Sequence, residues 1–226
     1  MPRPWPSGAR LLRVGLTGGV ACGKTTVAGM MRQRGAHVVL ADEVAHELMR
    51  PGQPVYYEVV RHFGSGIVAI DGSIDRKKLA EAAFGSGRIQ ELNQIVHPAV
   101  IARQDAWTNE IAAQDPDGIA VVEAALMLEA GVGKRFDKLV VVVCTVPQKI
   151  ERFARRHNLD LAAAAREVTR RMAAQLPDEE KVRVADYVLD NSGPLAELEV
   201  KVDALMEELR RLAVNFTRRV NPRQKS

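Results

Sequence analysis

The sequence predicts an α/β fold with a five-stranded parallel sheet, on two observations. Short apolar runs recur along the chain, and most are continuous rather than alternating, the pattern of strands buried on both faces of a parallel sheet. Long helical stretches separate the runs, as βαβ units with right-handed crossovers require. The five predicted strands cover residues 11–16, 37–41, 119–124, 139–144 and 187–189.

The helices between these runs are recognised by their ends. Gly35 is a typical C′ residue for a helix over 25–34, and Asp75 is a natural N-cap for a helix over 76–84. Three further helices are predicted: 92–110 with a possible interruption at Pro98, 148–175 ending before Pro177, and 195–214, which should cover one face of the sheet.

Two of the connections are longer than a crossover needs, so we expect insertions in one domain over 11–214. The first is a helical substrate lobe at about 60–115, and the second is an arginine-rich lid at about 147–178. Residues 1–10 and the basic tail 215–226 are expected to be poorly ordered extensions.

Composition sets broad limits on function. The 226 residues are 46% hydrophobic and 27% charged, which is ordinary for a protein with a buried core. Cys22 and Cys144 make no disulfide framework and indicate a reducing compartment. Neither a secretory leader nor a run of about 18 apolar residues is present, so we expect a cytoplasmic protein without membrane contact. The net charge of +4 fits nucleotides and is weak evidence for nucleic acid, which we do not expect as a partner.

One motif carries the chemistry. After the first predicted strand the chain reads Gly18-Gly19-Val20-Ala21-Cys22-Gly23-Lys24-Thr25, a full G-x-x-x-x-G-K-[ST] match followed by Thr26. Backbone amides of such a loop surround a β-phosphate, the lysine reaches the β/γ oxygens and the threonine hydroxyl binds Mg²⁺. The order strand, loop and helix argues against a chance match, so the sequence predicts ATP and Mg²⁺ as ligands.

Other charged residues favour a kinase. Asp42 follows the second strand and could accept or orient the proton of an attacking hydroxyl, although it could also cap a helix over 43–49. Arg152 and Arg156 lie at i and i+4 on a predicted lid, where they could neutralise the transferred phosphoryl group or simply face solvent. Glu123 at the end of the third strand could hold a magnesium water or be solvent-facing.

Several separated motifs make the chain similar to dephospho-CoA kinases along nearly its whole length. Each is weak alone, whereas their joint order is specific. They are L-T-G-G at 16–19, A-D-E-V-A-H at 41–46, D-G-S-I-D-R-K-K-L at 71–79, L-N-Q-I-V-H-P at 92–98, Q-K-I-E-R-F-A-R-R at 148–156, R-M-A-A-Q at 171–175 and A-D-Y-V-L-D-N-S-G at 185–193.

The resemblance implies a P-loop NTPase fold, a three-layer α/β/α core with a five-stranded parallel sheet, a helical CoA-binding lobe and a helical lid. It implies phosphorylation of the ribose 3′-hydroxyl of dephospho-CoA by ATP, the final step of coenzyme A biosynthesis. It also implies roles for residues of this chain: Asp42 as catalytic base or hydroxyl-orienting group, Arg152 and Arg156 in the lid, and Asp75, Arg76, Leu79 and His97 at the acceptor lobe.

The chain departs from the family pattern at several positions. Leu40 stands where the family commonly has Asp, and Ala125 replaces the Pro of P-L-L-x-E, leaving Glu129 in place. Ala21 carries a Cβ, so its backbone is expected to avoid positive φ. Cys22 at a helix N-terminus is either an oxidation-prone thiol or merely a small residue.

Two rival functions remain open at this stage. A kinase for another nucleoside or nucleotide would need a different acceptor lobe, against which the D-G-x-I-D-R and N-x-I-x-H-P elements argue. A nucleotide-dependent switch would need neither an acceptor-side acid such as Asp42 nor a second substrate lobe.

Overall fold

The computed structural model describes residues 11–84 and 87–220, and the side chains of residue 84 and of residues 215–220 are not described. The predicted extension over 1–10 and the last six residues of the predicted tail lie outside this description. Among the described residues, no helix has both the length and the apolar character needed to cross a membrane.

The sheet confirms all five predicted strands. Its order is β2-β3-β1-β4-β5, and β1 pairs in parallel with β3 and with β4, while β4 pairs in parallel with β5. The P-loop motif therefore leaves the central strand, where apolar side chains are buried on both faces. The strands are β1 (Leu12–Gly18), β2 (His37–Leu40), β3 (Ile119–Glu123), β4 (Lys138–Val143) and β5 (Tyr187–Asp190).

Nine helices connect and flank these strands in the described residues. They are α1 (Lys24–Gln33), α2 (Ala41–Leu48), α3 (Pro54–Phe63), α4 (Arg76–Phe84), α5 (Ile89–Gln114), α6 (Val146–His157), α7 (Leu161–Ala173), α8 (Asp178–Val184) and α9 (Leu195–Val220). Short 3-10 turns lie at Ser65–Ile67 and Gly133–Arg135.

The predicted helix ends are confirmed where a specific cap was identified. Gly35 follows α1 with φ 91°, the left-handed conformation of a C′ glycine. The Asp75 carboxylate accepts hydrogen bonds from the amides of Lys77 at 2.9 Å and Lys78 at 3.2 Å, so it caps α4.

Three predicted helices have different bounds. The stretch 148–175 is two helices, because Asn158 ends α6 in the left-handed region and Asp160 caps α7 through the Ala163 amide at 2.7 Å. Helix α5 continues through Pro98, since proline removes only one amide donor and apolar neighbours on both sides are buried. Helix α9 runs to Val220 rather than 214, since no Gly or Pro lies between Pro194 and Pro222.

The chain divides into two compact units, residues 39–108 and the remainder. In the larger unit, α1 and α9 contact each other, and α9 also contacts β1, β3 and β5, which confirms that the last helix covers the sheet. The smaller unit has its own core of buried side chains from α2 to α5. It overlaps the predicted substrate lobe, whose binding role remains a prediction. Its core consists of Val44, Val55, Val59, Ile67, Leu79, Val96 and Val100.

Arg13 and Asp137 hold the start of β4 against β1. Asp137 accepts from the Arg13 amide and Nε, both at 3.0 Å, and from NH2 at 2.9 Å, while its own amide donates to the Arg13 carbonyl at 2.9 Å. Both side chains are largely buried, so solvent screens the electrostatic attraction within this bidentate ion pair only weakly.

We expect Asp137→Ala to lower the free energy of unfolding by about 2 kcal/mol, because charge-assisted bonds to a largely buried guanidinium are lost. Urea unfolding monitored by circular dichroism measures this change. Glu207→Ala is the control, since the Glu207–Arg211 pair is exposed and spans 3.7 Å, and it should change stability by less than about 0.5 kcal/mol. Equal effects of the two variants would contradict the assignment.

Candidate active site

The P-loop backbone takes conformations that its glycines permit. Gly18 has φ 148° and Gly23 has φ 93°, both outside the region that L side chains prefer. A Cβ at Gly18 would collide with the Val142 carbonyl oxygen, and one at Gly23 would collide with the Asn191 side-chain amide. Gly23 is also the N-cap of α1, so the free amides of that helix face the loop.

Ala21 contradicts one expectation. Its φ is 55°, in the left-handed region that a Cβ makes costly by about 1 kcal/mol. The neighbouring Val20 is buried in a cluster with Phe153 and Val168, and Ala21 packs against the same cluster. Packing on α6 and α7 therefore holds the loop in a conformation that Ala21 alone would not choose.

The side chain of Lys24 folds back over the loop. It is 9% exposed, and Nζ donates to the carbonyl of Gly18 at 3.2 Å and to that of Gly19 at 2.9 Å. The ammonium group therefore lies beside the loop, and its contact with phosphate remains a prediction.

Thr25 and Glu123 bring two oxygen ligands together. The Thr25 hydroxyl donates to Glu123 Oε2 at 3.3 Å, and Glu123 is 9% exposed, so the solvent-facing alternative for this acid is wrong. Thr25 and Thr26 are exposed. A hydroxyl and a carboxylate are the hard oxygen donors that Mg²⁺ prefers, so this pair fits the predicted ion.

Asn191 supports the loop from the end of β5. It is 6% exposed, and its Nδ2 donates to the Cys22 carbonyl at 2.8 Å. Arg152 NH2 donates to the Asn191 carbonyl at 2.8 Å, and Gln148 Nε2 donates to that of Ser192 at 2.7 Å. The A-D-x-x-x-x-N-x-G motif is recognisable in the sequence, but nothing in it predicts this supporting role for its Asn.

The two predicted lid arginines differ in their surroundings. Arg152 is partly buried and bonded to the chain after β5, so for this residue the fully solvated reading is wrong. Its NH1 is buried without a hydrogen-bond partner among the described residues. Arg156, one turn later on α6, is exposed.

Two buried lysines were not identified from sequence. Lys149 is 1% exposed and pairs with Asp178 at 2.5 Å, while Lys181 is fully buried and pairs with Glu129 at 3.0 Å. Glu129 Oε1 also accepts from the Leu176 amide at 2.9 Å, so it holds the chain before α8 despite the nearby loss of the family's Pro. Lysines are rarely buried without such partners. Nothing in the local sequence, however, identifies which lysines are buried or which acids pair with them.

Asp42 lies in the smaller unit, in the first turn of α2. Leu40 is the N-cap of this helix and no side chain caps it, so the alternative that Asp42 is the cap is wrong. The Asp42 carboxylate is exposed and therefore available to a ligand.

The other predicted acceptor residues also belong to the smaller unit. Arg76 is exposed, and Leu79 is 6% exposed in the hydrophobic core, so its observed contacts are structural. Burial lowers the pKa of His97, and burial followed by the charge of Arg76 lowers the pKa of His46. Both imidazoles are therefore more neutral near pH 7 than an exposed histidine.

We expect Gly23→Ala to weaken nucleotide binding at least about tenfold, because the new Cβ displaces Asn191 from the loop in addition to straining the backbone. Calorimetric titration of the folded variant with ATP measures the change. Gly35→Ala is the matched control, since Gly35 has φ 91° but no atom within 4 Å of its Cβ position. An equal loss of affinity in both variants would contradict the role of the Asn191 contact.

Comparison with known proteins identifies the family of the chain. The chain matches the dephospho-CoA kinase family over residues 12–197. The dephospho-CoA kinase of Aquifex aeolicus is 41% identical over 200 residues, 88% of this chain and 98% of that protein. That of Methylococcus capsulatus is 41% identical over 196 residues, with coverages of 86% and 95%.

Solved structures show the same architecture. A protein from Thermus thermophilus has a TM-score of 0.72 at 29% identity and covers 88% of this chain and 98% of its own. The dephospho-CoA kinase of Campylobacter jejuni has a TM-score of 0.62 at 22% identity, with coverages of 88% and 97%, and supports the fold. The predicted three-layer α/β/α fold of P-loop kinases is confirmed. The chain belongs to the dephospho-CoA kinase family.

Proposed function

We propose that this chain transfers the γ-phosphate of ATP to the ribose 3′-hydroxyl of dephospho-CoA, giving coenzyme A and ADP. The observation that carries the proposal is the complete P-loop, with Lys24 over its carbonyls, in a chain whose curated relatives are named for this reaction. Both substrates are small polyanions, in keeping with the net charge of +4.

ATP would bind with its β-phosphate against the backbone amides of residues 18–25. The N-terminus of α1 adds favourable charge there, and Lys24 would exchange its bonds to Gly18 and Gly19 for phosphate oxygens. This exchange costs little reorganisation, because the ammonium group already lies beside the loop.

Thr25 and Glu123 would hold Mg²⁺, with the Thr25 hydroxyl as a direct ligand and the carboxylate holding a bound water. The ion would supply positive charge to offset the negative charge that develops on the phosphate oxygens during transfer. Glu123 is well suited to this role because burial fixes its side chain at the end of β3.

Asp42 would accept the proton of the attacking 3′-hydroxyl or orient that hydroxyl. Its exposed carboxylate in the first turn of α2 is free of any capping role. Arg76 would bind the acceptor's pyrophosphate through paired guanidinium contacts, and a neutral His97 could donate or accept a hydrogen bond nearby. Asp75 would hold the start of α4, which carries Arg76.

Arg152 and Arg156 would face the transferred phosphoryl group from α6. The buried, unpartnered NH1 of Arg152 is a donor in need of an acceptor, and a phosphate oxygen would satisfy it. Arg156 is exposed, and it would reach the phosphate of a bound nucleotide through a movement of α6.

The test is an ADP-release assay with ATP and Mg²⁺, offering dephospho-CoA beside plain nucleosides and nucleotides. We expect turnover on dephospho-CoA alone, with the new phosphate on the ribose 3′-oxygen. Slow hydrolysis of ATP regardless of acceptor would instead indicate a nucleotide switch, and turnover on another nucleoside would reassign the acceptor.

Asp42→Asn should lower kcat by at least about a hundredfold while ATP affinity stays within about twofold, because only the proton acceptor is lost. Glu43→Gln is the matched control, since Glu43 is the neighbouring exposed acid of the same helical turn. If both variants retain wild-type kcat, Asp42 is not the base.

Glu123→Gln should raise the Mg²⁺ concentration that gives half-maximal activity by about tenfold or more, since a charged oxygen donor becomes a neutral one. A Mg²⁺ titration at fixed ATP measures this change. Glu110→Gln, an exposed acid near the end of α5, is the control. An unchanged Mg²⁺ requirement in Glu123→Gln, with stability also unchanged, would remove Glu123 from the metal site.

A further inference from the structure

The two cysteines of the chain lie together behind the P-loop. Cys22 is fully buried and Cys144 is 8% exposed, and the two side chains lie near enough for each thiol to change the pKa of the other. The contact follows from the sheet register, in which Gly18 pairs with Val142, so the chain leaving β1 runs beside the chain leaving β4. Neither thiol has a role in the proposed transfer.

The surroundings of the pair are cationic. A Cβ built on Gly19 would lie 3.2 Å from Cys22 Sγ and 3.0 Å from Lys149 Nζ, so the buried ammonium approaches the same point as the thiol. Asp178 balances part of that charge through its ion pair with Lys149. Lys24, bonded to the carbonyls of Gly18 and Gly19, adds a second positive charge.

These contacts make the two sulfurs unequal. The pKa of Cys22 is lowered to about 7, chiefly because the Cys144 thiol donates a hydrogen bond to its thiolate and because Lys149 and Lys24 are cationic, against the opposing effects of burial and Asp178. The pKa of Cys144 is raised, because it is the donor to Cys22 and is itself buried. Cys22 is thus suited to attack an oxidant, and Cys144 is suited to react with the oxidised Cys22 and form a disulfide.

We propose that Cys22 and Cys144 are a reversible modification site, which hydrogen peroxide converts to an intramolecular disulfide that weakens nucleotide binding. The Cys22 thiolate attacks one peroxide oxygen, so an S–O bond forms, the O–O bond breaks and hydroxide leaves as water after taking a proton. The Cys144 sulfur then attacks Cys22, the S–S bond forms, and the sulfenic oxygen leaves as water with the Cys144 proton. Two thiols and one peroxide give one disulfide and two waters.

The disulfide would act on nucleotide binding through the backbone of Cys22. The two free sulfurs must approach to about 2 Å to become covalently joined, so Cys22 or Cys144 has to move. The carbonyl of Cys22 is held by Asn191, and its neighbours Ala21 and Gly23 both have positive φ. A displacement of Cys22 therefore changes the direction of the amides that would surround the β-phosphate.

Bound nucleotide should oppose the reaction for the same reason. Peroxide is about the size of water and reaches buried thiols through local openings of the structure. ATP on the loop fixes the residues that must move and so suppresses those openings.

The experiment compares the full-length wild-type chain with Cys144→Ala, because Cys144 lies outside the loop and its loss should leave ATP affinity unchanged. After peroxide treatment and removal of the oxidant, we expect the wild type to lose both titratable thiols and the mass of two hydrogen atoms. Its affinity for a fluorescent ATP analogue should fall at least about tenfold and return with dithiothreitol. Cys144→Ala should form no intramolecular disulfide, and ATP present during treatment should slow the loss of thiols.

Thermal unfolding of the variant verifies that it is folded, and Cys144→Ser replaces it if alanine leaves a cavity that destabilises the sheet. Two results would overturn the proposal: both thiols remaining titratable in nucleotide-free wild type at peroxide concentrations that oxidise exposed thiols, or a disulfide forming without loss of affinity. The readouts are thiol content, mass and nucleotide binding, so the outcome does not depend on which acceptor is phosphorylated.

Discussion

The site depends on the P-loop backbone, residues 18–25, whose amide N–H groups must converge on the position of one phosphate group. Such a loop is unfavourable by itself, because its amides repel one another and its φ values are costly for residues with side chains. The protein stabilises it on every side: Gly18 lies against β4, Asn191 holds the Cys22 carbonyl, Val20 is buried against α6 and α7, and Lys24 bonds to two loop carbonyls. Apart from Lys24, the regions that form these contacts are distant in sequence, and the parallel sheet brings its strand ends to one edge where they meet.

This arrangement explains what sequence reasoning could identify. The strands β1, β3 and β4 were predictable because burial on both faces requires continuous apolar runs. The loop was predictable because backbone geometry requires its glycines and phosphate binding requires its lysine. Caps such as Gly35 and Asp75 were predictable because their effect is local, since each acts on backbone within a few residues of itself.

The features that were not predicted from the sequence depend on contacts between distant residues. Ala21 has positive φ because tertiary packing outweighs its intrinsic preference, and no local pattern reveals that packing. The pairs Lys149–Asp178 and Lys181–Glu129 join residues far apart in the chain, and no periodic sequence pattern links the two partners of a pair. The break at Asn158 is different, because Asp160 is an ordinary N-cap residue whose signal was present but masked by helix-forming neighbours. For the smaller unit, the sequence located the elements, while the proposed roles of Asp42 and Arg76 are supported by family resemblance and exposure, and that of His97 by family resemblance.

The two buried lysine pairs also have a consequence for the response of the enzyme to heat. Hydration of a charged group is entropically unfavourable, so the cost of removing an ammonium and a carboxylate from water falls as temperature rises. Apolar contacts do not gain in the same way over that range. The ion pairs that Lys149 and Lys181 form with Asp178 and Glu129 should therefore gain more on warming than the apolar packing elsewhere in the chain. At high temperature these pairs would contribute a larger share of the stability beside the phosphate loop than they do in the cold.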